Sequence, residues 1–225
     1  AEPRRNPYAR PILLTILALL AVALIGVGGW MLFLQNPPAP EPTSTPSPQL
    51  TVSAEPIPTE PAATCTTATE EFVPTSFAMQ GFDLEYPIMA LDLDANGNIA
   101  APPKDLSHTA SWWSGGPKPG SDAGKVVVSV HTYRNGNALG NEMYSDDGPA
   151  LQPGDIIRLT GADGQDKCYE FTDATKIWVK DYDPDSDLMV DFQGDPQLLI
   201  IICWDFNKDT EDWESRIFFH AKPLA

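Results

Sequence analysis

Positive charge is scarce in this chain of 225 residues. The sequence has 14 lysines and arginines against 31 aspartates and glutamates, which gives a formal net charge of −17 at pH 7. Three of the basic residues, Arg4, Arg5 and Arg10, lie close to the N-terminus, so the remainder of the chain is more acidic still. Because nucleic acids and anionic lipid surfaces bind proteins through basic patches, both are poor partners for that remainder.

Charge of either sign is absent from residues 12–34, an apolar run of 23 residues. As a helix this run is about 34 Å long, enough to span a hydrocarbon core of roughly 30 Å. A cleaved signal peptide would have a shorter apolar core followed by small residues, whereas Trp30–Leu34 close this run. We therefore predict a single transmembrane anchor. Since the basic residues precede it, residues 1–11 are predicted to be cytoplasmic and the rest of the chain extracytoplasmic.

Apolar periodicity is missing from residues 35–71, which are rich in Pro, Thr and Ser. Such a segment buries too little surface to fold, and a Pro-rich chain extends by about 3.1 Å per residue, here to roughly 100 Å. We predict a semi-extended linker that holds residues 72–225 away from the membrane. That last stretch is long enough to form one domain with its own core.

Helical periodicity is weak in residues 72–225, where short apolar runs alternate with turn residues. Only Leu106–Ser111 and Ala138–Tyr144 favour a helix. Turn residues at Asn96-Gly97 and at 162–165 separate neighbouring strands, and the second turn predicts a hairpin. The pattern predicts an all-β barrel or sandwich with short helical insertions. The eight predicted strands are Ser76–Leu84, Ile88–Leu93, Lys125–His131, Asp155–Thr160, Lys167–Thr172, Thr175–Val179, Leu198–Cys203 and Ser215–Ala221.

Cysteine is rare, with three residues in the chain. Cys203 ends an apolar run of strand character, while Cys65 lies in the predicted linker and Cys168 on another predicted strand. In an oxidising exterior Cys65 and Cys168 can form a disulfide, which leaves Cys203 as the odd thiol. Two further free thiols are the alternative.

Cys203, His131 and Arg216 each lie at or near the edge of a predicted strand. A cysteine nucleophile reacts as its thiolate and needs a nearby base or cation, and its tetrahedral intermediate needs a donor for the oxyanion. His131 and Arg216 can meet these needs. The polar loop between Cys203 and Arg216 predicts two antiparallel strands that bring both to one end of the sheet. Taken singly, each residue has a structural alternative: a small buried hydrophobe, a polar strand end and a surface ion pair.

The order of these features resembles the sortases of Gram-positive bacteria, most closely their actinobacterial class E and F branches. An apolar anchor, a Pro-rich stalk and a β-domain with His131, Cys203 and Arg216 in that order carry the resemblance. Shorter motifs extend it over residues 75–222: Asp92–Gly97, Ala101-Pro102-Pro103, Trp112-Trp113, Pro119-Gly120, His131-Thr132-Tyr133, Asn137–Asn141 and Leu151–Asp155.

This resemblance implies an eight-stranded sortase-type β-barrel and a cysteine transpeptidase that uses no cofactor. Cys203 would attack the Thr carbonyl of a sorting motif like LPXTG or LAXTG in a secreted surface protein. His131 would protonate the leaving amine and later take a proton from the incoming one, and Arg216 would hold the substrate and stabilise the oxyanion. An amine of the cell-wall peptidoglycan or of a pilin would resolve the thioester.

Two further positions, Ile202 and Trp113, are predicted to contact the substrate. Sortases usually carry Thr immediately before the nucleophile, where it helps to line the oxyanion site, and Ile202 has no hydroxyl. The resemblance therefore implies altered specificity or slower turnover within the same reaction class. Trp113 would edge a peptide groove, with core packing as the alternative.

The alternating aspartates from Asp181 to Asp191 suit a hard cation, and some sortases bind Ca²⁺ on the corresponding loop. Ser186 and Phe192 stand where a calcium loop of the EF-hand type has its turn glycine and closing glutamate. A solvated acidic loop is therefore favoured over a Ca²⁺ site, and no metal is expected.

Two other functions fit part of the pattern. An L,D-transpeptidase is also a wall-facing cysteine enzyme, but that family has its Arg close behind the Cys, where this chain has Trp204-Asp205. A stalked extracellular binding module with a sortase-like fold is the non-catalytic alternative.

Overall fold

The computed structural model describes residues 57–58, 65 and 68–224. These residues belong to one compact unit, Ser53–Ala225. The predicted cytoplasmic tail (1–11), the predicted anchor (12–34) and most of the predicted linker (35–71) lie outside the described residues. Within the described ranges, no helix is both long enough and apolar enough to cross a membrane.

Strands dominate the described part of the chain, with one α-helix, α1 (Leu139–Met143), and one 3-10 helix (Val179–Asp181). In chain order the strands are β1 (Ile57–Pro58), β2 (Pro74–Met79), β3 (Leu84–Leu91), β4 (Ala110–Trp113), β5 (Lys125–Val130), β6 (Tyr144–Ser145), β7 (Gly148–Pro149), β8 (Ile156–Gly161), β9 (Asp166–Trp178), β10 (Gln197–Asn207) and β11 (Asp212–Pro223).

Eight of these strands close into a barrel. Their order around the barrel is β3, β2, β8, β9, β11, β10, β5 and β4, and the pairing of β4 with β3 closes the ring. The β5–β10 and β3–β4 pairings are parallel. The strand β1 pairs with β3, and β6 and β7 form a separate two-stranded ribbon. The predicted all-β, eight-stranded barrel is confirmed.

Alternate residues of β10 lie on opposite sides of the barrel wall, as the two-residue period of a strand requires. Leu198, Ile200 and Ile202 are buried in the main core inside the barrel. The residues between them belong to a second, smaller apolar cluster on the other side, which we call the outer face. This second cluster consists of Val127, Leu199, Ile201 and Phe218.

The loop between β9 and β10 covers part of the outer face, where its Leu188 and Met189 pack against the second cluster. Lys125, only 8% exposed, holds this loop, because its Nζ donates to the backbone carbonyls of Asp187 and Leu188. A buried ammonium group is costly unless it is hydrogen-bonded, so these bonds stabilise both the lysine and the loop.

Local sequence patterns were sufficient to predict some of the helices and strands. The predicted helix at Ala138–Tyr144 is confirmed as α1, and the predicted hairpin around residues 162–165 is confirmed by the β8–β9 pairing. The predicted strands Lys167–Thr172 and Thr175–Val179 are one continuous strand, β9. The predicted strand Ser76–Leu84 is interrupted by a turn at Gly81, whose φ of +84° suits glycine.

The predicted helix Leu106–Ser111 is wrong. Ala110 and Ser111 begin β4, and Ala110 pairs with Val130 of β5 and with Ile88 of β3. The next residue, Trp112, is 2% exposed in the main core. Tertiary pairing and the burial of a tryptophan outweigh a weak local preference for helix.

A disulfide attaches the segment before β2 to the barrel. Cys65 and the fully buried Cys168 of β9 are bonded, with their Cα atoms 6.1 Å apart. The N–H of Ala68 donates to the carbonyl of Asp166 at 2.6 Å, and Phe72 packs in the main core. The last residues of the predicted linker are therefore part of the folded unit.

Candidate active site

Cys203 and Arg216 face each other across two neighbouring strands. In the antiparallel pairing of β10 with β11, Cys203 is the register partner of Arg216. Both belong to the alternating set that lies on the outer face, because Ile201 and Phe218, two residues from each, are in the second cluster. The register therefore fixes a thiol beside a guanidinium, as the sequence predicted.

His131 is the third residue at this edge. The parallel pairing of β5 with β10 matches Val130 with Ile202, so His131 and Cys203 are the next residues of two adjacent strands. His131 also has the same alternation as Val127, which lies in the second cluster. The three predicted catalytic residues are thus brought to one edge of the barrel wall and to one face.

The imidazole of His131 is held by the segment that precedes β4. Its Nε2 lies 2.7 Å from the carbonyl oxygen of Pro102, which identifies this nitrogen as a donor. The Tyr133 ring lies 5.5 Å from the imidazole, and the Tyr133 hydroxyl donates to the carbonyl of Lys104. The Pro102 contact leaves Nδ1 as the nitrogen free for other chemistry.

The helix α1 supports the backbone of this segment. The N–H of Gly140 donates to the carbonyl of His131 at 2.9 Å, and the side-chain oxygen of Asn141 accepts from the N–H of Tyr133 at 2.9 Å. A Cβ on Gly140 would lie 2.5 Å from the His131 carbonyl oxygen. Glycine is therefore required for α1 to approach His131 this closely.

Opposing effects act on the Cys203 thiol. Burial raises its pKa above the ordinary cysteine value, the positive charge of Arg216 lowers it, and the negative charge of Asp212 raises it again. The Arg216 guanidinium is fixed by its own strand, since Nη1 donates to the carbonyls of Trp213 (3.0 Å) and Ser215 (2.9 Å). Arg216 is thus a positioned cation that partly offsets the cost of forming a buried thiolate.

No hydrogen bond joins Cys203, His131 and Arg216 to one another within the described ranges. The arrangement offers a nucleophile, a proton carrier and a cation around a common surface, where a substrate carbonyl and its leaving amine can lie between them. Such an array can support acyl transfer through a thioester.

A family model described as Sortase domain matches residues 78–224. The chain belongs to the sortase family. The family is one of cysteine transpeptidases, so the predicted reaction class is supported at this level. No curated protein matches the chain.

Several solved sortases are similar in fold. Sortase C-1 from Actinomyces oris has 14% identity and a TM-score of 0.46, covering 67% of this chain and 71% of that one. Sortase C1 from Streptococcus agalactiae, in complex with MTSET, has 16% identity and a TM-score of 0.46, covering 70% and 71%. The lid mutant of sortase A from Corynebacterium diphtheriae has 20% identity and a TM-score of 0.47, covering 69% and 72%.

The two predicted substrate-contacting residues differ in their surroundings. Ile202 is 1% exposed, with its side chain in the main core, so that side chain is not available to a substrate and only its backbone can take the predicted role. Trp113 packs against the second cluster on the outer face and meets Phe192 edge-on at 5.8 Å. A substrate contact by Trp113 stays a prediction.

The acidic loop has no arrangement suited to a metal ion. No three side chains of His, Cys, Asp or Glu lie close enough to hold one in the part of the chain that the structure describes. Asp191 instead accepts hydrogen bonds from the N–H groups of Gln193 (2.9 Å) and Gly194 (2.8 Å). These bonds, with a smaller contribution from Lys125, lower the pKa of the Asp191 carboxyl.

Sequence reasoning missed the surroundings of the candidate site at three residues, Gly140, Pro102 and Asp205. Gly140 belonged to a motif that supported the resemblance, but its close approach to His131 depends on how α1 docks. Pro102 contacts His131 through its backbone carbonyl, so the type of residue at this position does not indicate the contact. Asp205 was noted only as a residue following the cysteine, and its left-handed backbone conformation, with φ of 55°, has no sequence signature here.

Proposed function

We propose that this sortase is a membrane-anchored cysteine transpeptidase that cleaves an LPXTG-like or LAXTG-like sorting motif after Thr. It then transfers the protein to an amine of the cell wall or of a pilin. The observation that carries the proposal is the cross-strand pairing of Cys203 with Arg216, with His131 at the end of the adjacent parallel strand. The subclass proposed is the actinobacterial class E or F branch.

The proposed reaction has two acyl transfers. The Cys203 thiolate attacks the Thr carbonyl carbon, the carbon–nitrogen bond breaks, and the leaving amine takes a proton from His131. An acceptor amine then attacks the thioester and gives a proton to His131, and Cys203 leaves as the thiolate. Arg216 stabilises the negative charge on the carbonyl oxygen in both tetrahedral intermediates.

The proposed location is the cell membrane, with a cytoplasmic N-terminus, one span over residues 12–34 and the catalytic domain outside. The Cys65–Cys168 disulfide supports an extracytoplasmic domain, because disulfides persist in oxidising compartments. The acceptor and the sorting-signal proteins would then be reached from the outer side of the membrane.

A non-catalytic binding module with the same fold is the second candidate. Two observations favour it: burial raises the pKa of the Cys203 thiol, and Ile202 replaces the hydroxyl residue usual in the family. Both would slow a transpeptidase, and a module that only binds sorting signals has no need of a reactive thiolate.

The full chain, purified in mild detergent, separates the two candidates. It would be incubated with LPXTG-like and LAXTG-like peptides and an added amine, and mass spectrometry would record cleavage after Thr and a peptide thioester on the protein. We expect a thioester in the wild type and none in Cys203→Ala. Peptide binding without any adduct, together with a Cys203 that no thiol reagent modifies, would favour the binding module.

A further inference from the structure

The residue two positions after Cys203 has an uncommon backbone conformation. Asp205 has φ of 55°, a left-handed value that residues other than glycine seldom adopt. Within the described ranges, Glu211 is the one other non-glycine residue with positive φ, and it lies in the turn between β10 and β11. Asp205 differs because it lies inside a strand, where such a value needs compensation from its surroundings.

Strand pairing is interrupted at Asp205. The register of β10 with β11 runs from Cys203↔Arg216 through Trp204↔Ser215 and resumes at Phe206↔Trp213, so Asp205 and Glu214 are left out without any change of register. The two carbonyls that hold the Arg216 guanidinium are those of Trp213 and Ser215, the neighbours of Glu214 on either side. The irregularity at Asp205 and the anchorage of Arg216 are therefore parts of the same local structure.

The Asp205 carboxylate links three strands. Its Oδ2 accepts a hydrogen bond at 2.7 Å from the hydroxyl of Ser215 on β11, and it forms an ion pair with Lys176 on β9. Ser215 is completely buried, so its hydroxyl depends on this acceptor. The ion pair is about one-third exposed on each side and is the weaker of the two links.

We infer that Asp205 is a positioning residue that fixes Cys203 of β10 against Arg216 of β11 through its carboxylate link to Ser215. Within the described ranges, it forms no hydrogen bond or ion pair with the thiol or the guanidinium. It acts by holding β10 against β11 next to the Cys203–Arg216 pair. This pairing in turn positions the carbonyls of Trp213 and Ser215, which orient the guanidinium. The inference rests on the proposed function only for its effect on turnover.

Four variants of the full chain in detergent separate the backbone conformation from the carboxylate. Asp205→Asn keeps an acceptor for Ser215 and tolerates positive φ. Asp205→Gly tolerates positive φ without any acceptor, and Asp205→Ala loses both. The matched control is Glu211→Ala, because Glu211 has φ of 54° and its carboxylate has no partner within the described ranges.

Two readouts are needed. Single-turnover thioester formation measures positioning for catalysis, and we expect Asp205→Gly and Asp205→Ala to slow it by about 10- to 100-fold, the scale of an ångström misplacement. In steady-state assays, we expect the KM for the peptide to change little in both Asp205→Gly and Asp205→Ala. We expect Asp205→Asn and Glu211→Ala to stay within about threefold of the wild type, below the tenfold step that 1.36 kcal/mol represents.

The pH profile of Cys203 alkylation by iodoacetamide is the second readout, and it does not require turnover. If Asp205 holds Arg216 beside the thiol, the profile of Asp205→Gly moves to higher pH while that of Glu211→Ala does not. A lower melting temperature with unchanged alkylation and unchanged acylation per folded molecule would overturn the inference. If the wild type forms no thioester, the proposed function fails, whereas a shift of the alkylation profile in Asp205→Gly still supports the role of Asp205. A Cys203 that iodoacetamide modifies in neither the wild type nor Asp205→Gly would overturn the inference.

Ser215→Ala tests the inference independently, because it removes the hydroxyl that donates to the Asp205 carboxylate and leaves Asp205 in place. We expect Ser215→Ala to reproduce the alkylation shift of Asp205→Gly and the double variant to be no worse than either single one. Additive effects would mean that the two residues act separately and would contradict the proposed link.

Discussion

The barrel uses cysteine in two opposite ways at two of its regions. Cys168 on β9 is fully buried and bonded to Cys65. Nearby, the N–H of Ala68 donates to the carbonyl of Asp166, and the N–H of Leu224 donates to the carbonyl of Cys168. Cys203 on β10 is partly buried and free, with Arg216 as its register partner. The first region joins the preceding segment to the barrel, and the second leaves a thiol beside a cation.

The difference shows that the neighbours of a cysteine determine its role more than its burial does. Burial alone makes a thiol less acidic, and it raises the pKa of Cys203. What distinguishes Cys203 is the fixed charge of Arg216, whereas Cys168 has a second sulfur within bonding reach. Altering each region in turn therefore tests whether the other responds.

The largest effect is expected at the disulfide. Replacing both Cys65 and Cys168 by Ser removes a cross-link between residues 103 apart in sequence. Chain-entropy arguments for a loop of this size give a loss of about 3 to 5 kcal/mol in the free energy of unfolding. Urea denaturation of the full chain would measure it, with Cys203→Ser as the control.

Alkylation of Cys203 in the variant with both Cys65→Ser and Cys168→Ser tests whether the two regions are independent. We expect the alkylation rate at neutral pH to match that of the wild type, since the two regions lie on different strands. A slower or faster Cys203 in a variant that is still folded would show that the disulfide helps to shape the site, which would contradict the separation of roles.

A smaller effect is expected from Gly140→Ala. The added Cβ would lie 2.5 Å from the His131 carbonyl oxygen, so α1 or the His131 segment must move. Overpacking of this kind costs about 1 to 3 kcal/mol, partly offset by the roughly 1 kcal/mol gained when Ala replaces Gly in a helix. We expect a modest loss of stability and a loss of turnover of about tenfold or more, as for other small displacements of a catalytic group.

Asn141→Ala is the companion to that variant, because it removes one hydrogen bond to Tyr133 without adding an atom. Single-turnover kinetics across pH should show a milder loss than in Gly140→Ala. Equal losses in both would mean that the hydrogen bond, and not the close approach, holds His131.

The smallest effect concerns the charges around Cys203. Arg216 lowers the pKa of the thiol and Asp212 raises it. Arg216→Ala should therefore move the alkylation profile of Cys203 to higher pH, so less thiolate is present at pH 7, while Asp212→Asn should move it to lower pH. Asp209→Asn, in the turn that precedes Asp212, is the control, and two shifts of the same sign would contradict this electrostatic account.

The pattern of short apolar runs predicted an all-β barrel or sandwich, the resemblance to sortases implied the barrel, and the sequence also indicated the three catalytic candidates. The apolar run ending at Cys203 and the run ending at His131 predicted the two central strands, since continuous apolar residues mark strands buried on both faces. Their parallel pairing, and the register that aligns Val130 with Ile202, are non-local and could not be read from either run alone.

Other features depended on tertiary contacts. The four residues of β4 were assigned partly to a helix, because a strand this short has no detectable period, and its pairing with both β3 and β5 decides its structure. Ile202 was expected beside the substrate because it precedes Cys203, yet alternation along β10 turns its side chain into the main core. The left-handed conformation of Asp205 likewise occurs where its carboxylate contacts Ser215 and Lys176, which lie on two other strands.

The order of the cysteines along the chain also bears on how the protein is made. Cys65 and Cys168 both precede Cys203, so in a polypeptide that emerges from its N-terminus both partners are present before the competing thiol arrives. Once the barrel has folded, burial raises the pKa of the Cys203 thiol, which makes it a weak attacker of the Cys65–Cys168 disulfide near neutral pH. The order of the cysteines and the low acidity of the buried Cys203 thiol therefore both favour the native Cys65–Cys168 pairing over exchange with Cys203.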